Sequence, residues 1–364
     1  MSLTLSVDGE RWRAHLLATV RANPGIVPVA KGNGYGFTLP HLARRTQWLA
    51  DQTVPEDSED GSPLDLLAVG TYEEVARVTE FTGDVLVLTP WRPFGTALAM
   101  DPAIAPRVVH TVSRLDDLSG LLAHDPTARF VLEQLTSMRR HGMGRRDLAE
   151  AARTLTGGDA SRGLAGVAMH LPLNVTSHLG EVTRLINDIV ASGLSTRTVF
   201  VSHLTRTELA SLATSHPDFT IRPRIGTGLW LGDRGALSVS ATVLDVHAVE
   251  RGDTFGYRGR SAPKNGHIVV VSGGTAHGIG LEAPTGDQSF KARAATLARG
   301  GMDAVGFVRS PFSIDGKQRL FAEPPHMQAS MLFVPSGARV PGVGEDIEVR
   351  VRFTATDFDH VAVS

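Results

Sequence analysis

No cysteine occurs among the 364 residues of the chain. Disulfides, thiolate nucleophiles, zinc–thiolate sites and iron–sulfur clusters are thereby excluded together. Long apolar runs are missing too. Nothing approaches the roughly 18 uninterrupted apolar residues of a membrane helix. The start, MSLTLSVDGERWRAHLL, lacks the basic stretch and apolar core of a secretory signal. A soluble, cytoplasmic protein with no membrane partner is expected. Neither sign of charge is in excess, since 36 Lys and Arg face 38 Asp and Glu for a formal charge of −2. Nucleic acid and anionic surfaces are therefore not favoured partners. What the chain does have is 42% hydrophobic residues, enough for a core and against global disorder.

Short apolar, β-branched runs alternate with helical-period stretches from about residue 10 to 235. Trp12, Leu16, Leu17 and Val20 are spaced for one helix face, and Ile26–Lys31 follows as a strand. Thr38 reads as a helix cap, with Pro40 in the first turn where its missing N–H costs nothing. Further strands are expected at Leu66–Val69, Val85–Thr89, Arg107–Thr111, Arg129–Gln134, Leu164–His170, Thr198–Ser202 and Thr220–Gly226. Glu181–Ala191 and Thr207–Ala213 have the spacing of crossover helices. Apolar strands joined by helices are parallel strands, and eight such units close into a (β/α)8 TIM barrel in the α/β class.

The rhythm changes after about Arg234. Leu237–Ala248, Gly266–Ser272, Met331–Pro335 and Gly342–Arg352 read as strands, with a turn at Gly252-Asp253. Ile347–Arg352 alternates with period two, the mark of a half-buried strand. The expected division is a barrel over 8–235 and an all-β domain over 236–364, which residues 1–7 can join as an extra strand. Asp51–Pro63, rich in acidic residues, reads as a solvated surface loop.

Barrel sites lie at the carboxyl ends of the strands. Lys31, Glu133 with Arg140 beyond it, His170, His203 with Thr207, and Arg224 with Gly226 and Thr227 all fall there. A lysine ending an apolar strand leaves two readings open on position alone. One is a rim residue snorkelling to water; the other is an amine of depressed pKa that forms a Schiff base.

The motif around it points to the second. VAKGNGYGF, residues 29–37, resembles the lysine motif of the alanine racemase family. These are fold type III pyridoxal 5'-phosphate enzymes that join a barrel to a carboxyl-terminal β domain. The resemblance implies that Lys31 carries the cofactor and Tyr35 binds its phosphate. LEQLTSMRRHG, residues 132–142, resembles the family's Met-x-Arg-x-Gly segment, so Arg140 would contact the cofactor's phenolic oxygen and the substrate. GVAMH puts His170 where a ring stacks on the pyridine, and SHLTRT offers Thr207 as a phosphate-binding hydroxyl. RIGTGLWLG places Arg224 at the pyridine nitrogen, with Gly226 and Thr227 holding phosphate through their amides. An arginine there cannot exchange a proton at neutral pH, so the ring nitrogen would stay unprotonated.

Three positions depart from the family. Glu133 stands where many members have a carbamylated lysine, and a glutamate could keep a charge-assisted bond to Arg140. SGGTAHG, residues 272–278, puts Thr275 in place of the tyrosine that acts as second base across the dimer interface. His277, two residues on, would share its face if the stretch is extended, and is the first substitute base. The chain also ends at Ser364 without the segment carrying another active-site tyrosine. PHMQASM still offers Met327 for the substrate carboxylate, with Gln328 replacing an acid, while Tyr257 matches a family loop only loosely.

The resemblance therefore implies a pyridoxal-phosphate racemase acting on a free amino acid, alanine first, as a homodimer and without a metal. Two alternatives stand beside it. One is a cofactor-binding or regulatory protein without turnover, suggested by the missing tyrosines. The other is a fold type III lyase such as a D-amino-acid dehydratase, whose hint is the tail DFDHVAVS with His360; those enzymes pair histidine with cysteine at a metal.

Overall fold

A computed structural model describes residues 2–53, 64–156, 159–173, 175–281 and 308–364. The chain divides into two units, Arg13–Gly232 and Met1–Trp12 together with Asp233–Ser364. Chain order opens with β1 (Leu3–Val7) and α1 (Gly9–Arg21). Trp12, Leu16 and Val20 form the buried stripe of α1, as their spacing requires, while Leu17 is half-buried.

The first unit holds eight parallel strands. In order come β2 (Val27–Pro28), α2 (Leu39–Gln52), β3 (Leu66–Val69), β4 (Asp84–Pro90), β5 (Val108–Val112) and α3 (Leu115–His124). Then follow β6 (Arg129–Gln134), α4 (Arg145–Leu155), β7 (Leu164–Met169), α5 (Leu179–Ser192), β8 (Thr198–Ser202), α6 (Arg206–Ser215), β9 (Thr220–Ile225) and the short α7 (Thr227–Trp230). The sheet runs β2-β9-β8-β7-β6-β5-β4-β3. A parallel bridge between Val29 and Ala68 joins its ends, with the Ala30 N–H donating to the Ala68 carbonyl at 2.8 Å. This is the barrel that the alternation predicts. Side chains such as Val29, Ala68, Leu86, Val131, Ala168 and Phe200 pack together as its filling.

Four local expectations are corrected. The strand expected over 26–31 pairs in pieces, because Pro28 has no amide to donate. Thr38 occupies the cap position of α2, but at φ +70° its hydroxyl makes no capping bond. Asp51 and Gln52 belong to α2 rather than to a loop, and residues 54–63 of the acidic segment lie outside the described residues. The β3–β4 crossover is made by a 3₁₀ stretch, Tyr72–Arg77, in place of an α-helix.

The second unit is all β. It contains β10 (Leu237–Val249), β11 (Thr254–Phe255), β12 (Arg260–Ser261), β13 (Gly266–Ser272), β14 (Arg309–Ile314), β15 (Lys317–Phe321), β16 (Ala329–Pro335), β17 (Asp346–Val349) and β18 (His360–Val363). Strand order is β13-β16-β15-β14-β17-β10-β1-β18, and β13 also pairs with the long β10. The strand β1 lies antiparallel to β10 and parallel to β18. Ile347 and Val349 are buried in alternation with exposed Asp346 and Glu348. The strand stops at Val349 instead of running to Arg352; the Arg350 amide turns to the Pro311 carbonyl at 3.0 Å. Among the described residues no helix is long and apolar enough to cross a membrane.

Candidate active site

The carboxyl mouth of the barrel gathers the chemistry, beginning with Lys31. Its loop is fastened by a residue the sequence reading overlooked, Glu74. The Gly32 N–H donates to Glu74 Oε1 at 2.7 Å, and the Gly70 and Thr71 amides donate to Oε2 at 2.6 and 3.3 Å. One carboxylate thus ties the loop after β2 to the loop after β3. The spacing Thr71-x-x-Glu74 was the available signal, since it is a capping box, which the structure contains. The wall around Lys31 lowers its amine pKa first by desolvation, then through the charges of Arg140 and Arg224; Glu74 opposes them.

Tyr35 is buried in the Gly34–Gly36 turn at φ +57°. Burial, then the charge of Glu74, raises the pKa of its phenol, which therefore stays protonated as a hydrogen-bond donor. The hydroxyl lies against Gly226, just beyond β9, so closely that a Cβ at Gly226 would overlap it. Thr227 follows as the first residue of α7, whose Trp230 donates its indole N–H to the Val29 carbonyl at 2.8 Å. Strand ends 1 and 8 of the barrel are thereby locked side by side.

Arg224 is 9% exposed and donates through one terminal nitrogen to the Met169 carbonyl at 2.9 Å, while its Nε has no partner. Desolvation brings it down to about 10, with Glu133 opposing; it remains a cation at neutral pH. Glu133 is buried as well, and its Oε2 has no hydrogen-bond partner. Burial raises its pKa against the pull of Arg224, Arg140 and Arg92, in that order. The expected bond from Glu133 to Arg140 is not formed. Arg140 sits exposed in the loop between Gln134 and Met143, which a parallel bridge joins.

His170 follows β7. Its Nδ1 lies 3.1 Å from the Ser202 hydroxyl, and its ring stands 5.4 Å from that of His203 at 57°. Burial, then Arg224, Arg140, His203 and Lys31, push its pKa down to about 3, so it is a neutral ring. Thr207 is exposed in the first turn of α6, which Thr205 caps by a box with Glu208. Hydrogen bonds from the Thr205 and His178 amides and from Thr205 and Ser177 hydroxyls outweigh burial and hold Glu208 near about 2.

In the second unit, the turn Thr275–His277 is 3₁₀ and not extended, so the two side chains do not share a face. Thr275 is exposed. His277 points inward, accepting the Gly274 N–H on Nδ1 at 3.2 Å and meeting Asp359 through Nε2 at 3.1 Å. The expectation that His277 stands beside Thr275 is corrected: flanking glycines at 273, 274 and 278 let the chain turn. Met327 is 70% exposed. Its neighbour His326, not singled out in the sequence, is bound to the buried Glu323 at 2.6 Å. His360 is exposed in β18. Among the described residues no three His, Asp or Glu side chains gather as metal ligands.

A family model described as the N-terminal domain of alanine racemase matches residues 10–215. No curated protein matches the chain in sequence. Among solved structures, alanine racemase from Acinetobacter baumannii is similar over 100% of this chain and 99% of its own, at 16% identity and TM-score 0.62. The Bacillus anthracis alanine racemase with bound L-Ala-P reaches TM-score 0.67 at 17% identity, over 99% and 87% of the two chains. That from Bartonella henselae, with covalently bound pyridoxal phosphate, reaches 0.64 at 14% identity, over 96% and 91%. At such identities these structures speak for a shared fold.

Proposed function

Because the chain belongs to the alanine racemase family, we propose that it is a pyridoxal-phosphate enzyme that removes and returns the α-proton of a free amino acid, alanine in the first instance. The observation that carries this reading is the convergence at one barrel mouth of Lys31, whose amine is lowered in pKa, with Arg140, Arg224 and a neutral His170. The residues fit the cofactor. Tyr35 and Gly226 form a cradle that any larger residue at 226 would fill, and the buried Arg224 keeps a donor unused.

When bound, the cofactor supplies an aldehyde for the lysine amine and an electron-withdrawing ring for charge developing at the substrate α-carbon. Lys31 is the nucleophile that holds it, and afterwards takes or gives a proton at Nζ on one face of that carbon. The Tyr35 and Thr207 hydroxyls and the Gly226 and Thr227 amides would hold the phosphate. His170 would offer a neutral ring to the pyridine. Arg224, buried and with its Nε unpartnered, would face the ring nitrogen as a donor that cannot supply it with a proton at neutral pH. Arg140 would receive the substrate carboxylate. The enzyme works as a homodimer in the cytoplasm, with the second face served by the partner's carboxyl-terminal unit.

A second reading, cofactor binding without turnover, is favoured by one observation. Thr275 offers only a weakly acidic hydroxyl, and both nitrogens of His277 are engaged. Purified protein with added pyridoxal phosphate should develop a visible band that borohydride abolishes, and Lys31→Ala should not. Chiral analysis of D- and L-alanine incubations then separates the readings. Interconversion supports the racemase; a band with no change in chirality for any amino acid leaves a binder; no band overturns both.

A further inference from the structure

We propose that the amino end of the barrel, opposite Lys31, is a binding site for a free amino acid in its zwitterionic form. The inference stands on the barrel unit alone and does not depend on the cofactor reading.

Period two sets which side chains turn inward on each strand. Leu86, Val131 and Phe200 belong to the barrel filling. Two residues before each of them come Asp84, Arg129 and Thr198, which therefore face the same way at the amino end. A barrel ordinarily fills its interior layers with branched apolar side chains. Here the layer is polar and hollow. A cavity of about 310 Å³ opens there, with Leu66, Val109 and Phe200 as its apolar floor. That is room for a small ligand.

The rim carries a fixed order of charge. Arg222 places its guanidinium carbon 5.5 Å from the Phe200 ring centre. It is bound to Asp65 at 2.5 Å, and its Nε donates to the Gly25 carbonyl at 3.0 Å. Arg129 meets Asp84 at 2.7 Å. The Asp84 N–H donates to the Asp65 carbonyl at 2.8 Å, so the two acids sit at the starts of neighbouring strands with one cation on each outer side. Each carboxylate spends one oxygen on its arginine. Asp65 Oδ2 and Asp84 Oδ1 accept no hydrogen bond among the described residues. Arg129 spends one terminal nitrogen on Asp84, and its side chain is 44% exposed, so donors remain. On the opposite wall, Thr198 and Thr220 are register partners whose hydroxyls are unengaged among the described residues.

These valences define the ligand. Neighbouring carboxylate oxygens accept from an ammonium group, which has three N–H donors, and the Arg129 fork takes a carboxylate. Two acids against two arginines leave the rim neutral. A lone anion or a lone cation therefore meets as much repulsion as attraction, whereas a molecule carrying both charges engages both halves. The apolar floor takes a short branched side chain.

The test is calorimetric titration of the full chain with L-valine, beside isovalerate and isobutylamine, which each keep one of its charges. Valine should bind, and each analogue should bind at least about tenfold more weakly, the worth of one charge-assisted bond. Asp84→Asn should weaken valine by a similar factor. Ala165, which also lines the cavity, offers a second variant. Ala165→Leu fills the space without touching a charge, and should abolish binding without lowering the unfolding temperature. Lys31→Ala, at the other end of the barrel, should bind valine as the wild type does. No binding at millimolar valine, an analogue that binds as tightly, or undiminished binding in Ala165→Leu overturns the site. So does loss of binding in Lys31→Ala, which would put valine at the mouth.

Discussion

His277 Nε2 lies 3.1 Å from Asp359 Oδ1, and Oδ2 of the same carboxylate accepts the Leu3 N–H at 2.8 Å. Three segments far apart in sequence are thereby clasped: the turn after β13, the start of β1 and the approach to β18. Burial works against the charge on Asp359, but the Leu3 amide and His277 outweigh it and hold the carboxyl below its ordinary range. A folded-state value below the unfolded one contributes stability above the unfolded pKa and loses it as pH falls through the folded value. Asp359→Asn should therefore cost about 0.5–1 kcal/mol at pH 7, after allowing for partial solvent screening. The deficit should shrink in acid. Urea unfolding at neutral and acidic pH checks this, and a deficit that grows in acid would contradict it.

Arg224 and Glu133 set a second expectation. Arg224→Leu removes the strongest of the charges that draw Glu133 down while leaving its carboxylate buried. The variant should be less stable than the wild type at neutral pH, because the buried carboxyl loses the largest of its opposing charges. Because burial raises the folded-state value of Glu133, the penalty should ease as pH falls and the carboxyl takes up a proton. Adding Glu133→Gln to Arg224→Leu should recover most of the loss. If the double variant is no better than the single one, the two groups are not energetically coupled.

Where the sequence was legible, the reason is burial. Strands β3, β6 and β8 fall where apolar runs place them, because barrel strands are covered on both faces and leave unbroken hydrophobic segments. The Lys31, Tyr35, Arg140, His170 and Arg224 positions follow from motifs anchored to those strand ends. What escaped was contact between distant residues. Glu74 reaches Gly32 across 42 positions, and no periodicity encodes that. The Glu323–His326 pair lies only three residues apart, yet nothing in the pattern says that Glu323 is buried. His277 was misjudged because period-two reasoning assumes an extended chain, whereas Thr275–His277 coils into a turn. The alternation to Arg352 overran for a related reason, since a charged residue at every second position fits an exposed tail as well as a strand face.

Gly226 gives a third expectation. A methyl group at this position would meet the Tyr35 hydroxyl and ring and, more loosely, Val29. Tyr35 cannot retreat freely, being buried in a turn at positive φ. Gly226→Ala should cost about 1–3 kcal/mol, as overpacking does, and weaken pyridoxal-phosphate binding at least tenfold by displacing the phenol. Combining it with Tyr35→Phe should relieve part of the clash without restoring affinity. Equilibrium titration of the visible band, beside thermal unfolding, separates the two effects; unchanged affinity would show that the cradle does not face the phosphate.

Glu74 is expected to set both the place and the protonation of Lys31. Its two oxygens hold Gly32 on one side and Gly70 and Thr71 on the other, and a Cβ at Gly70 would lie 3.1 Å from that of Lys31. Glu74→Gln keeps the shape but turns one acceptor into a donor facing amide N–H groups. One charge-assisted bond, about 1.5 kcal/mol or roughly tenfold, should go from cofactor affinity. The groups acting on Lys31 are Arg140, Arg224 and Glu74, with His170 and His203 nearby. Among the first three, Glu74 alone raises the amine pKa, which desolvation and the two arginines lower. Neutralising it should drive the value lower still, so acetic anhydride labelling of Lys31 in cofactor-free protein should reach its midpoint at a lower pH. Glu74→Asp keeps the charge on a shorter arm, and should preserve that midpoint while still losing affinity. If Glu74→Gln lowers the unfolding temperature yet leaves the labelling midpoint where it was, the carboxylate is a cap on its own 3₁₀ stretch and does not govern the lysine.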